Sequence, residues 1–450
     1  MIAKSLPDCP HEVQLAVIES LALPDLAALT LTSHGLGQLA SPLLYAHIRM
    51  EWTLSCHPPV FLLLRSLLEN PKLCTHVQSL NLAGIRCKLP NTLPNVVALP
   101  QLELSQAISR TGVSKDVAES WEKKIQIRVP DAVVALLVSM LPNLASLLLQ
   151  ANWNTESHFL GHLFRSALCS PRRDGLQHPL PAFQALKKVS LGRRNRTNEH
   201  TDDQNSADML ALLYLPNIQS LSASIDNPID FTWPSQSPPT PSALTRLKLH
   251  RMREYGLTRV LHRLTNLQTL RYAWFYQSDI DEEVSDKVVR LDMMGSAMAK
   301  CETLVDLEIT ALTLPAHRYG EFELPDVTLH GSLAELSQLP QLKRLKVPWV
   351  FLAGMTMPSS PSSIGTALPR SLKHLTITAD LAGTDLSGEW EDEVMISVVE
   401  AELESGVFST LQNLKTIHLP SLIFTDEVLQ ASEAELRRMS ARFGIQLTIS

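Results

Sequence analysis

LPQLKRLKV (residues 339–347) carries the pattern on which the fold depends. Its apolar residues Leu342, Leu345 and Val347 follow the order apolar, two others, apolar, one other, apolar. The last two positions lie two apart, so they share one face of a strand, whereas the first turns in from the preceding bend. A single unit of this kind cannot bury its apolar face, so copies must stack against one another.

The same pattern recurs along the chain. Copies occur at VQSLNL (77–82), LASLLL (144–149), LKKVSL (186–191), IQSLSA (218–223), LTRLKL (244–249), LQTLRY (267–272), LVDLEI (304–309), LKHLTI (372–377) and LKTIHL (414–419), with a related strand, IQLTI, at 445–449. Several copies follow a short phrase of the form LPNL, as at 141–144. The pattern resembles the L-x-x-L-x-L signature of leucine-rich repeats. Its spacing is irregular, from 23 residues between Leu247 and Leu270 to 67 residues between Leu80 and Leu147.

Helical patterns lie between these strands. Amphipathic segments with acidic beginnings predict helices over 282–300, 391–404 and 426–442. The long apolar stretch 132–149 is divided by Pro142-Asn143, which predicts a buried helix, a turn and a strand rather than a membrane span. Alternation of strand and helix predicts an α/β fold, an irregular solenoid over residues 51–450 with parallel strands on one face and helices on the other.

Composition limits the class of protein. The chain of 450 residues is 45% apolar and 19% charged, which is typical of a folded, soluble protein. A net charge of −7 argues against a nucleic-acid-binding surface. The apolar residues near the start are interrupted by Asp8 and Glu12, so no secretory signal is expected. The six cysteines are widely spaced and indicate reduced thiols. We therefore expect a cytoplasmic or nuclear protein that contacts neither membrane nor nucleic acid.

Catalytic and metal-binding motifs are missing from the sequence. It contains no GxSxG, Walker, GxGxxG or HExxH motif and no Cys/His set with zinc spacing, so we expect no enzyme activity, metal or cofactor. Trp153, Trp274 and Trp349 each follow a predicted strand closely. This position lies at the edge of a strand face, so all three are candidates for target binding, with packing in the core as the alternative.

Residues 1–50 predict a separate small helical module. A helix is expected from Pro10, which suits a first helical turn, to about Leu21. One apolar stripe contains Val13, Val17 and Leu21, and a second contains Leu15 and Ile18. The two stripes cover about 200° of the helix, twice the usual buried width, so the second stripe needs a surface outside the module. Leu26, Leu29 and Leu36 then predict a second helix, and SPLLYAHI (41–48) a third apolar segment.

These residues resemble a divergent F-box of the kind common in fungal proteins. The resemblance consists of P-x-E-V-x-x-x-V-x-x-x-L from Pro10, P-D-L-x-x-L-x-x-x-S from Pro24, and LASPLLYAHI (39–48). It implies that the module docks on a Skp-type adaptor of a cullin-based ubiquitin ligase. The implied adaptor-binding residues are Pro10, Val13, Val17, Leu21, Leu26 and Leu29. Cys9 replaces the usual leucine before the first proline, unless Leu6-Pro7 is the true start, and Leu36 replaces a late aromatic residue.

Two functions are compatible with this organisation. In the first, the chain is the substrate-recognition subunit of a cullin-type ubiquitin ligase, and its repeats bind the target protein. In the second, the chain is a scaffold unconnected with ubiquitin, and the N-terminal helices only cap the first strand of the solenoid.

Overall fold

The computed structural model describes residues 6–53, 58–84, 93, 98–154, 158–169, 180–192, 209–225, 231–277, 286–314, 327–353, 364–381, 392–420 and 427–449. The chain divides into two compact units. The first unit comprises Met1–Asn195 and Asp208–Ile218, and the second comprises Arg196–Ala207 and Gln219–Ser450.

The first unit combines a parallel sheet with helices. Its strands, paired in the order in which they occur in the chain, are β1 (His47–Trp52), β2 (Ser79–Gly84), β3 (Ser146–Leu149) and β4 (Lys188–Leu191). Its helices are α1 (His11–Glu19), α2 (Leu23–Thr30), α3 (His34–Ala46), α4 (Val60–Glu69), α5 (Gln101–Arg110), α6 (Lys115–Gln126), α7 (Pro130–Ser139) and α8 (His158–Leu168). Short 3-10 turns occupy Leu6–Asp8, Pro71–Thr75 and Leu210–Tyr214.

The second unit repeats this architecture. Its parallel strands are β5 (Ser220–Ser224), β6 (Arg246–His250), β7 (Thr269–Gln277), β9 (Asp306–Leu314), β11 (Arg344–Pro348), β12 (His374–Thr378), β13 (Thr416–Leu419) and β14 (Gln446–Ile449), with a separate small sheet of β8 (Val288–Arg290) and β10 (Thr328–His330). Its helices are α9 (Glu254–Leu261), α10 (Leu291–Ala299), α11 (Trp349–Ala353), α12 (Ile364–Ala367), α13 (Asp392–Glu404) and α14 (Glu427–Arg442), with 3-10 turns at Ala334–Gln338 and Val407–Thr410.

Strand register follows the sequence pattern. The central residue of each copy pairs with that of the next, giving Leu80–Leu147–Val189 in the first unit and Leu221–Leu247–Leu270–Leu307–Leu345–Leu375–Ile417–Leu447 in the second. A shift by one residue would turn every leucine to the opposite face, so burial of one face fixes this register. The prediction of repeated parallel strands is confirmed, and each unit is a solenoid-like α/β structure.

The LPNL phrase has a structural explanation. Its asparagine comes directly before the first apolar residue of the pattern, and its side-chain amide donates a hydrogen bond to a backbone carbonyl of the preceding repeat. The four bonds are Asn143 to Thr75 (2.7 Å), Asn217 to Gln184 (2.8 Å), Asn266 to Ser242 (2.8 Å) and Asn413 to Arg370 (2.9 Å). At the same position of other repeats, the hydroxyls of Thr303 and Ser371 donate to Leu267 (2.8 Å) and Leu342 (2.9 Å). These bonds connect consecutive repeats at the turn before the strand.

Several predicted elements need correction. The helix expected over 282–300 extends only from Leu291 to Ala299, because Val288–Arg290 forms β8, and 282–285 lie outside the described residues. The single helix expected through Leu26, Leu29 and Leu36 is two helices, α2 and α3, separated by a bend before the N-cap Ser33. The helices expected over 391–404 and 426–442 are confirmed as α13 and α14. The helix, turn and strand over 132–149 are also confirmed, as α7 and β3.

Candidate functional site

The three N-terminal helices enclose a small core of their own. Ile18, Leu26, Leu36 and Ala40 are between 0% and 7% exposed. Six partly buried side chains pack around them: Leu6, Leu21, Leu29, Leu39, Leu43 and Leu44. Residues from α1, α2 and α3 therefore meet in one hydrophobic cluster, and the module has its own packed interior.

Local sequence determines where these helices begin. Pro10 precedes α1, and its carbonyl accepts the backbone N–H groups of Val13 and Gln14, both at 3.0 Å. Ser33 caps α3, since its hydroxyl accepts the N–H of Leu36 at 3.2 Å. Gly37 allows α3 to approach α2 closely, because a Cβ at this position would lie 3.1 Å from the Thr30 carbonyl oxygen.

Helix α1 also presents apolar side chains to solvent. Val13 is 45% exposed and Val17 is 39% exposed. They are four residues apart and so lie on one side of the helix, while Ile18 fills the core with no exposure. Leu23 and Leu31, at either end of α2, are 55% and 88% exposed. These aliphatic side chains are therefore exposed beside a core that is already filled by other residues.

The six predicted adaptor-binding residues occupy different environments. Pro10, Val13 and Val17 are exposed. Leu26 belongs to the core, and Leu21 and Leu29 are partly buried against it. Sequence reasoning did not select Leu23 and Leu31. In the sequence, their exposure is indicated only by their position at the ends of α2: Leu23 directly precedes Pro24, and Leu31 directly precedes Thr32-Ser33.

The three tryptophans considered for target binding are buried. Trp153 is 0% exposed, stacks edge-on against Trp52 with ring centroids 5.4 Å apart, and donates to the Ala83 carbonyl at 2.8 Å. Trp274 is 0% exposed and Trp349 is 5% exposed. Their rings contribute to packing and offer no exposed surface to a partner.

A buried polar cluster surrounds Trp274. Its indole N–H donates to Glu254 Oε1 at 3.0 Å, and Arg253 Nε donates to the other carboxylate oxygen at 3.2 Å. The guanidinium of Arg253 also donates to the carbonyls of Asp286 and Val288. Burial, and then the nearby Glu254 carboxylate, raises the pKa of Tyr272 well above its ordinary value. The cluster is buried, and its hydrogen bonds connect β8 to β7 through Arg253 and Glu254.

A cleft of about 450 Å³ lies in the first unit, between α4, α5 and the end of α7. Its lining includes Glu69, Cys74, Glu103, Arg110 and Met140. Burial raises the pKa of the Cys74 thiol to about 11, so the thiol is protonated at neutral pH and is a poor nucleophile.

Among the residues that the structure describes, no group of three or more His, Cys, Asp or Glu side chains is placed to hold a metal ion. No helix in the described ranges is both long enough and apolar enough to cross a membrane.

Comparison with known proteins gives no independent assignment. No protein-family model matches the chain, and no curated protein matches it significantly.

Proposed function

We propose that this chain is the substrate-recognition subunit of a cullin-type ubiquitin ligase. The N-terminal module (residues 1–50) docks on a Skp-type adaptor, and the repeats hold the protein to be ubiquitinated. The observation that best supports this proposal is the exposed pair Val13 and Val17 on α1. The module has a complete core without them, so their burial requires a partner.

The structure changes which residues are suitable for a test. Substituting Leu21, Leu26 or Leu29 would disturb the core of the module, so a loss of binding would be ambiguous. Val13 and Val17 are exposed, so Val13→Asp with Val17→Asp removes the apolar surface and leaves Ile18 and its neighbours in place. Leu102→Asp with Ile127→Asp is a matched control, because Leu102 on α5 and Ile127 directly after α6 are 68% and 55% exposed in the same unit.

The experiment is capture of a purified Skp-type adaptor by the full chain, measured as a dissociation constant. Replacing a central apolar anchor costs about 2 kcal/mol or more, so we expect at least about 30-fold weaker binding for the Val13/Val17 variant. The Leu102/Ile127 variant should bind as the wild type does. Failure of the wild type to capture the adaptor, or equal binding by both variants, would contradict the proposal.

A scaffold function is the second candidate, and one observation favours it. Helix α3 ends at Ala46 and β1 begins at His47, so the module continues directly into the first strand of the sheet. The Ala46 carbonyl accepts the backbone N–H of Gln78 at 2.9 Å, next to β2. In this alternative the helices cover the start of the repeats and recruit no adaptor.

A further inference from the structure

The strands of the second unit carry an unusual distribution of charge. Side chains that alternate with the buried leucines point away from the core, and together they form a surface that we call the open face. Its charged members in the described strands are Arg246, Lys248, Arg271, Arg344, Lys346, Asp306 and Glu308. The strand residues of this face thus sum to +3, and Asp380, which follows β12 and lies near Lys346 and Glu308, reduces the sum to +2, although the whole chain has a net charge of −7.

Both anions that the strands place on the open face are already paired. Glu308 lies between two cations, 3.2 Å from Arg271 and 2.9 Å from Lys346. Asp306 contacts Arg344 at 2.9 Å. These pairs extend from β7 to β11 and involve both carboxylates that the described strands place on the open face.

Strand β6 contributes two cations to the open face, Arg246 and Lys248. Neither side chain forms an ion pair or a side-chain hydrogen bond with any residue that the structure describes. Lys248 also pairs in register with Arg271 on β7, and like charges directly opposite on adjacent strands repel each other. An anionic group bound over this pair would relieve the repulsion and form charge-assisted hydrogen bonds.

An exposed apolar side chain lies on the same face. Leu312 is 39% exposed and follows Glu308 by four residues along β9, a distance of about 13 Å in a strand. Phe275, in register with Leu312, is 6% exposed and lies under the guanidinium of Arg251 at 4.5 Å. A cationic face could also attract single-stranded nucleic acid, whose bases generally stack on exposed aromatic side chains of the protein. Among the described residues of the open face, no Phe, Tyr or Trp is exposed enough to stack on a base.

We propose that the open face of the second unit binds an extended acidic segment of a partner protein. Carboxylates of the segment contact Arg246, Lys248 and Arg271, and an apolar residue of the segment packs on Leu312. This inference names the chemical class of the target and in that sense rests on the proposed function. Peptide binding by the open face is nevertheless measured without the adaptor.

The test selects peptides of about twelve residues, long enough to cross the face, from a random display library on the full-length chain. Wild type should enrich Asp and Glu together with an aliphatic residue. Arg246→Glu with Lys248→Glu should abolish the acidic enrichment. Arg263→Glu with Lys300→Glu is the matched control, because it makes the same change of charge at exposed positions outside the open face and should preserve the enrichment.

A selected acidic peptide is then compared with a thymidine oligonucleotide by fluorescence anisotropy. The peptide should bind wild type at least about tenfold more tightly than it binds the Arg246/Lys248 variant, and more weakly as salt rises. The inference is overturned if wild type enriches no acidic residues, if both variants behave alike, or if the oligonucleotide binds more tightly than the peptide. The Arg246/Lys248 variant should still capture the adaptor. Failure of the wild type to bind an acidic peptide therefore contradicts only this inference, and failure of the wild type to capture the adaptor contradicts only the proposed function.

Discussion

Glu254 and Arg253 form a buried ion pair in the second unit, with side chains 2% and 6% exposed. Glu254 also accepts the indole N–H of Trp274 and the backbone N–H of Arg290 at 3.3 Å. It lies in the first turn of α9, where a negative charge is favoured by the helix dipole. A buried pair of this kind tolerates poorly the loss of either partner, because the remaining charge cannot be solvated.

We therefore expect Glu254→Gln to destabilise the protein by about 3 kcal/mol, the lower end of the range for breaking a buried ion pair. The substitution keeps the size of the side chain but places an amide beside the guanidinium of Arg253. The measurement is the midpoint of urea unfolding followed by circular dichroism. Glu302→Gln makes the same change of charge at an exposed position and should alter stability by less than about 0.5 kcal/mol. Equal midpoints for the two variants would show that the pair has no structural role.

At the level of single residues, the sequence predicts some environments and not others. The spacing of Val13 and Val17 indicates a shared face of α1, since that depends only on helical periodicity. Burial of Leu26 depends on α3 packing against α2, and burial of Trp274 depends on Glu254, which lies 20 residues earlier. Periodicity within one element contains no information about such contacts, so the sequence could not separate core positions from surface positions here.

Strands and turns were more predictable than single residues. Ten central positions of the sequence pattern lie in strands. Burial of one face, together with a side-chain period of two, determines both where a strand forms and the register in which it pairs with its neighbour. Strand β1, HIRMEW, was not predicted, because it lacks the leucine spacing and is held by pairing with β2. The helix expected over 282–300 was too long, since its amphipathic pattern did not reveal the pairing of Val288–Arg290 with Thr328–His330.

The backbone of Gly192, just after β4, lies very close to the backbone of Ala151, and this contact leads to a second prediction. Gly192 follows the strand, and a Cβ there would lie 2.6 Å from the backbone nitrogen of Ala151. Backbone cannot move aside as the end of a side chain can, so Gly192→Ala should cost about 1–3 kcal/mol. Gly35, in α3, has nothing within 4 Å of such a Cβ, so the same substitution should be neutral or stabilise the helix by up to about 1 kcal/mol. The thermal unfolding midpoint should therefore fall for Gly192→Ala and stay unchanged or rise for Gly35→Ala, and a loss of stability no greater for Gly192→Ala than for Gly35→Ala would contradict the close approach.

At the scale of the whole molecule, the structure shows where the N-terminal module ends and the repeats begin. A boundary at residue 50 would divide β1, which extends from His47 to Trp52 and pairs with β2 along its entire length. Trp52 is 1% exposed and its ring packs on Trp153 of the repeats. The helical module therefore ends at Ala46, and β1 belongs structurally to the sheet.

This boundary separates the two candidate functions in one experiment on shortened chains. A chain that begins at His47 keeps β1, whereas one that begins at Pro58 loses β1 and Trp52. The shorter chain should lose about 3 kcal/mol or more, since removing a buried tryptophan side chain alone costs about 3–5 kcal/mol. It should also self-associate, because the edge of β2 becomes available for pairing. If the module is an adaptor-binding element, the chain from His47 stays monomeric in size-exclusion chromatography, unfolds cooperatively and no longer captures the adaptor. If the chain from His47 aggregates as the chain from Pro58 does, the helices themselves protect the start of the repeats, and the scaffold function is favoured over the ligase function.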